Sequence, residues 1–350
     1  MNKAQIAVFT NSGLPNDLMN CEIPILKEGE VLVRNTCTCL CSSDLHTYFG
    51  RRKEKSPTIL GHEITGIVEG LPKNELISDL NGQELKIGDR LTWAIFSSDP
   101  DTEIAKSGIP QKSSSLFKYG HEKLTEGNSL HGGLATHIIL RKNTPKLIVH
   151  SDIPDNLLAL VNCSVATVAG AVRLAGPMDG KKVLIVGAGM LGIMAIAMCH
   201  SLGAEVFSLD LNSRRIETAK DFGALPYEYS NKVDYVLEFS GSKEAMEAAV
   251  SYLEIGGVMV WVGATFPVGT VALNPEYMIR NLITIKGLHN YNEIDFKNAL
   301  QFMISNYRNY PFSKLINNEF ELNEVNEAFA FAENNKSYRV AINFYEKVKE

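Results

Sequence analysis

The sequence lacks an unbroken apolar run of bilayer length, an excess of positive charge and a cysteine-dense framework. Val183 to Ala204 carries no Asp, Glu, Lys or Arg, yet Gly187, Gly189, Gly192 and His200 interrupt it. About 20 continuous apolar residues are needed to cross a bilayer, so a buried strand, turn and helix is expected there, with no membrane partner. Lys and Arg number 34 against 40 Asp and Glu, a formal charge of −6. That balance argues against a nucleic-acid partner, whose phosphates call for a basic surface; Arg51-Arg52-Lys53 is the main local exception. The apolar stretch after Met1 is too short for a secretion signal, and the six cysteines are spread through 350 residues. Such thiols are expected as ligands, nucleophiles or core residues in a cytoplasmic protein, not as disulfides.

A chain of this length predicts two domains. The first 150 residues are short β-like runs between turns: Glu30 to Arg34, Ile64 to Glu69, Asp89 to Ile95 and Thr136 to Leu140. Ser97 to Asn128 is polar and weakly periodic, as in a long loop or lobe. From about Pro154 the texture changes. Leu157 to Leu174 predicts a charge-poor helix, after which strands alternate with amphipathic helices as far as Val262. That alternation predicts an α/β domain with a doubly wound parallel sheet. The apolar run Tyr338 to Tyr345 then predicts a strand returning to the first domain. The expected boundaries are 1–152 with 290–350 for the β-rich domain and 153–289 for the inserted one.

The expected strand Lys182 to Val186 runs into Gly187-Ala188-Gly189-Met190-Leu191-Gly192 at the start of a helix. In this arrangement the first glycine makes the turn, the second admits a pyrophosphate, and the third lets helix and strand pack closely. A second strand ends at Asp210, 18 positions after Gly192, near the spacing expected of an acid that binds a ribose 2′-hydroxyl. A negative charge there favours NAD over NADP, although Arg214 and Arg215 follow closely and suit a 2′-phosphate. The competing interpretation is a glycine-rich turn with a surface aspartate.

Cys41-Ser42-Ser43-Asp44-Leu45-His46, Gly61-His62-Glu63 and Cys163 supply thiols and imidazoles from separated segments. Zinc favours such ligands, and a catalytic zinc keeps one coordination position open. Spacing alone leaves two alternatives: ordinary buried residues, or a cluster of Cys37, Cys39 and Cys41 at strand period. Cys21 and Cys199 are expected in the core, and His121 and His131 as structural or surface histidines.

Taken in order, Cys41, Ser43, Asp44 and His46; Gly61, His62, Glu63 and Gly66; Cys163; and Gly187, Gly189 and Gly192 resemble the zinc-containing branch of the medium-chain dehydrogenase/reductase family across nearly the whole chain. The resemblance implies a GroES-like catalytic domain with an inserted Rossmann domain, and a zinc-dependent alcohol or polyol dehydrogenase using NAD(H). It implies zinc ligation by Cys41, His62 and Cys163. Asp44 would orient the ligand histidine, and Glu63 would lie beside the metal. Ser43 would hydrogen-bond the alcohol and pass its proton, through the cofactor ribose, toward His46. Many relatives hold a second, structural zinc in a four-cysteine lobe, but Ser97 to Leu116 contains no cysteine. One catalytic zinc per chain and no structural zinc are therefore expected. Segments Leu116–Glu122 and Gly287–Tyr291 also resemble a subgroup associated with phosphonate breakdown. The alternatives are a zinc-free enone or quinone reductase of the same family and a non-catalytic nucleotide-binding protein. Gly256 to Val262 is expected as an apolar sheet edge joining subunits in a homodimer or homotetramer.

Overall fold

The computed structural model describes residues 3–265 and 267–344. Its chain forms two compact units, 1–163 with 312–350, and 164–311. The joins fall later than the sequence expectation of 152 and 290. Residues 153–163 belong with the first unit, and helix Glu293–Asn306 belongs with the second, where it packs on helix Ala166–Ala175.

The first unit is built on a seven-stranded sheet. Its main path runs Ile316–Glu321, Arg339–Asn343, Val31–Cys39, Glu63–Gly70, Arg90–Trp93 and Lys146–Ile148, and His137–Leu140 also pairs with Val31–Cys39. The expected returning strand is Arg339–Asn343, and Tyr345 lies outside the described residues. In this register Cys39 stands opposite Glu63 on one neighbour and Ala341 on the other. Three segments distant in sequence therefore meet where strand Val31–Cys39 ends and Cys41 begins. Trp93, Ile64, Val33 and Ile138 are fully buried on this sheet.

The second unit holds six parallel strands in the order Leu225–Pro226, Glu205–Leu209, Lys182–Val186, Val233–Glu238, Leu253–Trp261 and Thr284–Gly287. The winding reverses between Lys182–Val186 and Val233–Glu238, and ligands of such sheets bind beyond the carboxyl ends of the strands at that point. Val186 is level with both Leu209 and Glu238, so Gly187, Asp210 and Phe239 leave the sheet at the same end. The segment first suspected of membrane character is strand Lys182–Val186 followed by helix Met190–Ser201, both largely buried.

Two expectations need correction. Leu253–Trp261 is not the sheet edge, because the four-residue strand Thr284–Gly287 pairs along it; so short a strand left little pattern to read. The expected helix Leu157 to Leu174 is not regular. Helix Asp155–Leu158 passes through a π turn, Val161–Val165, into Ala166–Ala175. The span 155–175 is apolar and long enough to cross a membrane by composition, yet 83% of its most apolar window is buried inside the protein.

Candidate metal centre and nucleotide turn

Helix Ser42–Tyr48 starts at Cys41, whose extended backbone makes it the N-cap. Asp44 Oδ2 accepts from Cys41 N at 2.9 Å, and its Oδ1 accepts from Gly61 N at 3.1 Å. One buried carboxylate thus fixes the two segments that carry Cys41 and His62. The same Oδ1 lies 3.2 Å from His62 Nδ1, an ion-pair distance off hydrogen-bond alignment. Nε2, the other ring nitrogen, lies 3.3 Å from Ser43 Oγ.

Cys163 arrives from the π turn. Such turns insert one extra residue into a helix and recur at functional sites. Asn162, beside it, donates to Ile64 O at 3.2 Å and accepts from Ile64 N at 3.4 Å. That docks the turn on the strand carrying Glu63.

Cys41, His62 and Cys163 offer ligand atoms that all lie within 4.8 Å of one another. Tetrahedral zinc bonds of about 2.3 Å to sulfur and 2.0 Å to nitrogen place ligand atoms roughly 3.5–3.8 Å apart, so modest inward movement closes the set. This is the group of metal-type donors found among the described residues; Cys37 and Cys39 are buried strand residues outside it. The three donors act strongly on one another's protons. The hydrogen bond from Cys163, aided by Arg339 and His62, holds the Cys41 thiol well below its usual range against the effect of burial. Cys163 is held well above, first by that same shared hydrogen bond and then by burial. Burial pulls His62 down, but Asp44 and Cys41 outweigh it and raise it well above the usual imidazole range.

Glu63 does not face the three donors as an open ligand. Its carboxylate receives both arms of Arg339, Nε to Oε2 at 2.5 Å and Nη2 to Oε1 at 2.7 Å. Arg339 Nη2 also lies 3.6 Å from Cys41 Sγ. The returning strand delivers it there, with Leu40 N donating to Val340 O at 2.9 Å. No spacing motif marked Arg339; the signal was a lone cation inside the apolar terminal run. His121 is likewise closer than expected, its partly buried ring 5.0 Å from that of His62 and its Nδ1 2.9 Å from Glu54 Oε2. His46 lies in the last turn of helix Ser42–Tyr48.

The cysteine-free lobe is tied by hydroxyls. Ser113 Oγ is 3.0 Å from both Thr102 Oγ1 and Ser115 Oγ, and Asp99 N donates to Ser115 Oγ at 2.8 Å.

In the second unit the glycine turn is sterically committed. Gly187 has φ +92°, and a Cβ there would meet Ser240 N at 2.7 Å. A Cβ on Gly192 would fall 1.8 Å from Gly187 O. Gly189 is the uncapped N-terminus of helix Met190–Ser201, so the N–H groups of Met190, Leu191 and Gly192 have no capping side chain, a favourable setting for phosphate. Asp210 Oδ2 accepts from Ala188 N at 2.7 Å, which seats the acid on the turn, and Arg215 Nη1 is 3.8 Å away.

Comparison with known proteins agrees with this construction. Residues 27–150 match the alcohol dehydrogenase GroES-like domain, and 191–305 the zinc-binding dehydrogenase family. An alcohol dehydrogenase of Geobacillus stearothermophilus is 28% identical, covering 91% of this chain and 93% of its own. An L-galactonate-5-dehydrogenase of Escherichia coli is also 28% identical, covering 81% and 82%. A crystallographic alcohol dehydrogenase from Thermotoga maritima superposes with a TM-score of 0.91 at 28% identity, over 98% of this chain and 100% of that one. Fold and site define an oxidoreductase acting on alcohol-like donors. The chain belongs to the zinc-type medium-chain dehydrogenase/reductase family.

Proposed function

We propose that the protein is a zinc-dependent dehydrogenase of alcohols or polyols that uses NAD(H), with NADP the poorer cofactor. The observation that carries this function is the convergence of two thiols and one imidazole within 4.8 Å. Cys41, His62 and Cys163 would hold one zinc, whose Lewis acidity stabilises an alkoxide or polarises a carbonyl. Gly187 to Gly192 and Asp210 would hold the dinucleotide, the hydride acceptor, with Arg215 beside the acid. Ser43, whose Oγ is within reach of His62 Nε2, would take the hydrogen bond of the substrate hydroxyl. His46, three residues further along the same helix face, would stand next in the hydrogen-bond chain that starts at Ser43. Asp44 keeps the imidazole oriented. Glu63, engaged by Arg339, places a buried negative charge near the donors without supplying a ligand.

Support for a polar substrate comes from the relatives named for alcohol and galactonate dehydrogenation. A cytoplasmic location fits six cysteines that are all free thiols. A homodimer is supported by the edge strand Thr284–Gly287, near the exposed Ile255, Ile279 and Leu282. The test is NAD reduction over a panel of small alcohols, polyols and hydroxyalkyl phosphonates. Turnover abolished by chelation and restored by zinc is expected. Full activity in metal-free protein would instead identify a zinc-free reductase, and no turnover on any substrate a nucleotide-binding protein.

A further inference from the structure

We propose that Arg51, clamped by Glu333, is a positioning residue that holds His46 as a neutral ring with its proton on Nε2, so that His46 acts as a hydrogen-bond donor and not as a proton store. This rests on the proposed dehydrogenase for its consequence in turnover, but not for its geometry. After helix Ser42–Tyr48 the chain folds back, and Arg51 N and Arg52 N both donate to His46 O, at 2.8 and 2.9 Å. That return aims Arg51 Nε at His46 Nδ1, 2.9 Å away. A guanidinium can only donate and does not lose its proton in proteins, so Nδ1 must present its lone pair. The neutral ring then carries hydrogen on Nε2. An imidazolium would need hydrogen on both nitrogens and would direct one of them against Arg51.

The arginine is itself fixed. Its Nη1 and Nη2 donate to Glu333 Oε1 and Oε2 at 2.8 and 2.9 Å, a forked pairing with strong directional preference. Glu333 lies in helix Val325–Asn335, and Lys336 Nζ adds a contact at 3.3 Å. The charged groups acting on His46 include Arg51, Arg52, Cys41 and Glu333; burial first, then Arg51, pulls the ring below its ordinary range, while Cys41 and Glu333 oppose that. Nothing in the Cys41-x-Ser43-Asp44-x-His46 pattern requires this clamp.

The test is histidine nitrogen NMR on the zinc-loaded protein across neutral and mildly acid pH, with the pH profile of turnover in parallel. Wild type should show His46 with unprotonated Nδ1 and protonated Nε2. In Arg51→Met its titration midpoint should rise toward about 6.5, and a matching acid limb should enter the kcat/KM profile. Glu333→Gln, a milder change, should shift the midpoint in the same direction by less, and Arg51→Lys should restore the acceptor form of Nδ1 only in part. Wild-type His46 protonated on Nδ1, or a midpoint unmoved in both Arg51→Met and Glu333→Gln, would overturn the proposal. Loss of all alcohol turnover with the tautomer intact would count against the dehydrogenase alone.

Discussion

Arg339 and Glu63, 276 residues apart in sequence, form a two-armed ion pair in which both side chains are buried. Burial pushes the Glu63 carboxyl up even beside the guanidinium. Replacing one partner of such a pair leaves the other charge buried and uncompensated, at a cost of about 3–5 kcal/mol, whereas replacing both with apolar side chains is often near neutral. Arg339→Met should therefore lower unfolding stability by about that amount at fixed zinc concentration, and Glu63→Met with Arg339→Met should recover most of it. Denaturant unfolding measures both; equal losses in the single and double variants would rule out the ion-pair explanation.

Asp44 holds Cys41 and Gly61 through two hydrogen bonds and stands 3.2 Å from the imidazole. Partners of this kind typically change metal affinity by about 10–100-fold. Asp44→Asn should weaken zinc binding within that range in chelator competition while the protein stays folded. Unchanged affinity would mean that the carboxylate orients the backbone alone.

Asp210 receives Ala188 N and lies 3.8 Å from Arg215. Asp210→Ser keeps an acceptor for the turn but removes the charge that would repel a 2′-phosphate. The ratio of kcat/KM for NAD over NADP should fall by roughly tenfold, equivalent to about 1.4 kcal/mol of lost discrimination. A ratio that stays put would move cofactor choice elsewhere.

His131 is 1% exposed, and neither ring nitrogen finds a partner. Burial, the dominant cause, pulls it down to about 4. Between that value and the unfolded value of about 6.5, the unfolded chain binds a proton that the folded chain does not, so stability falls as pH drops through this window. The loss approaches roughly 3 kcal/mol by the lower end, at about 1.36 kcal/mol per unit. His131→Leu should flatten this part of the stability–pH curve. An unaltered slope in chemical denaturation from pH 6.5 to 4 would show that His131 stays protonated in the folded state.

Much of this architecture was legible because its signals were local. The run Lys182 to Val186 followed by glycines already marked the strand, the turn and the uncapped helix, since Gly187 and Gly192 occupy places where a Cβ would collide. The donors Cys41, His62 and Cys163 were named by an ordered resemblance, not by spacing, because they come from a helix cap, the start of a strand and a π turn. Arg339 and Asn162 were not found. Their roles depend on strand register and on an extra residue in a helical turn, neither of which leaves a periodic trace. The edge strand Thr284–Gly287 was missed because four residues carry too little alternation. Glu63 was expected beside the metal, but its long-range pairing with Arg339 left no trace in the sequence.

The most direct measurement is metal content by mass spectrometry, with zinc-edge X-ray absorption, on wild type and Cys163→Ala. One zinc per chain is expected, with two sulfur neighbours at about 2.3 Å and nitrogen or oxygen at about 2.0 Å, and with metal and turnover lost together in the variant. A wild-type protein that binds no zinc, or zinc without sulfur neighbours, would contradict the proposed centre.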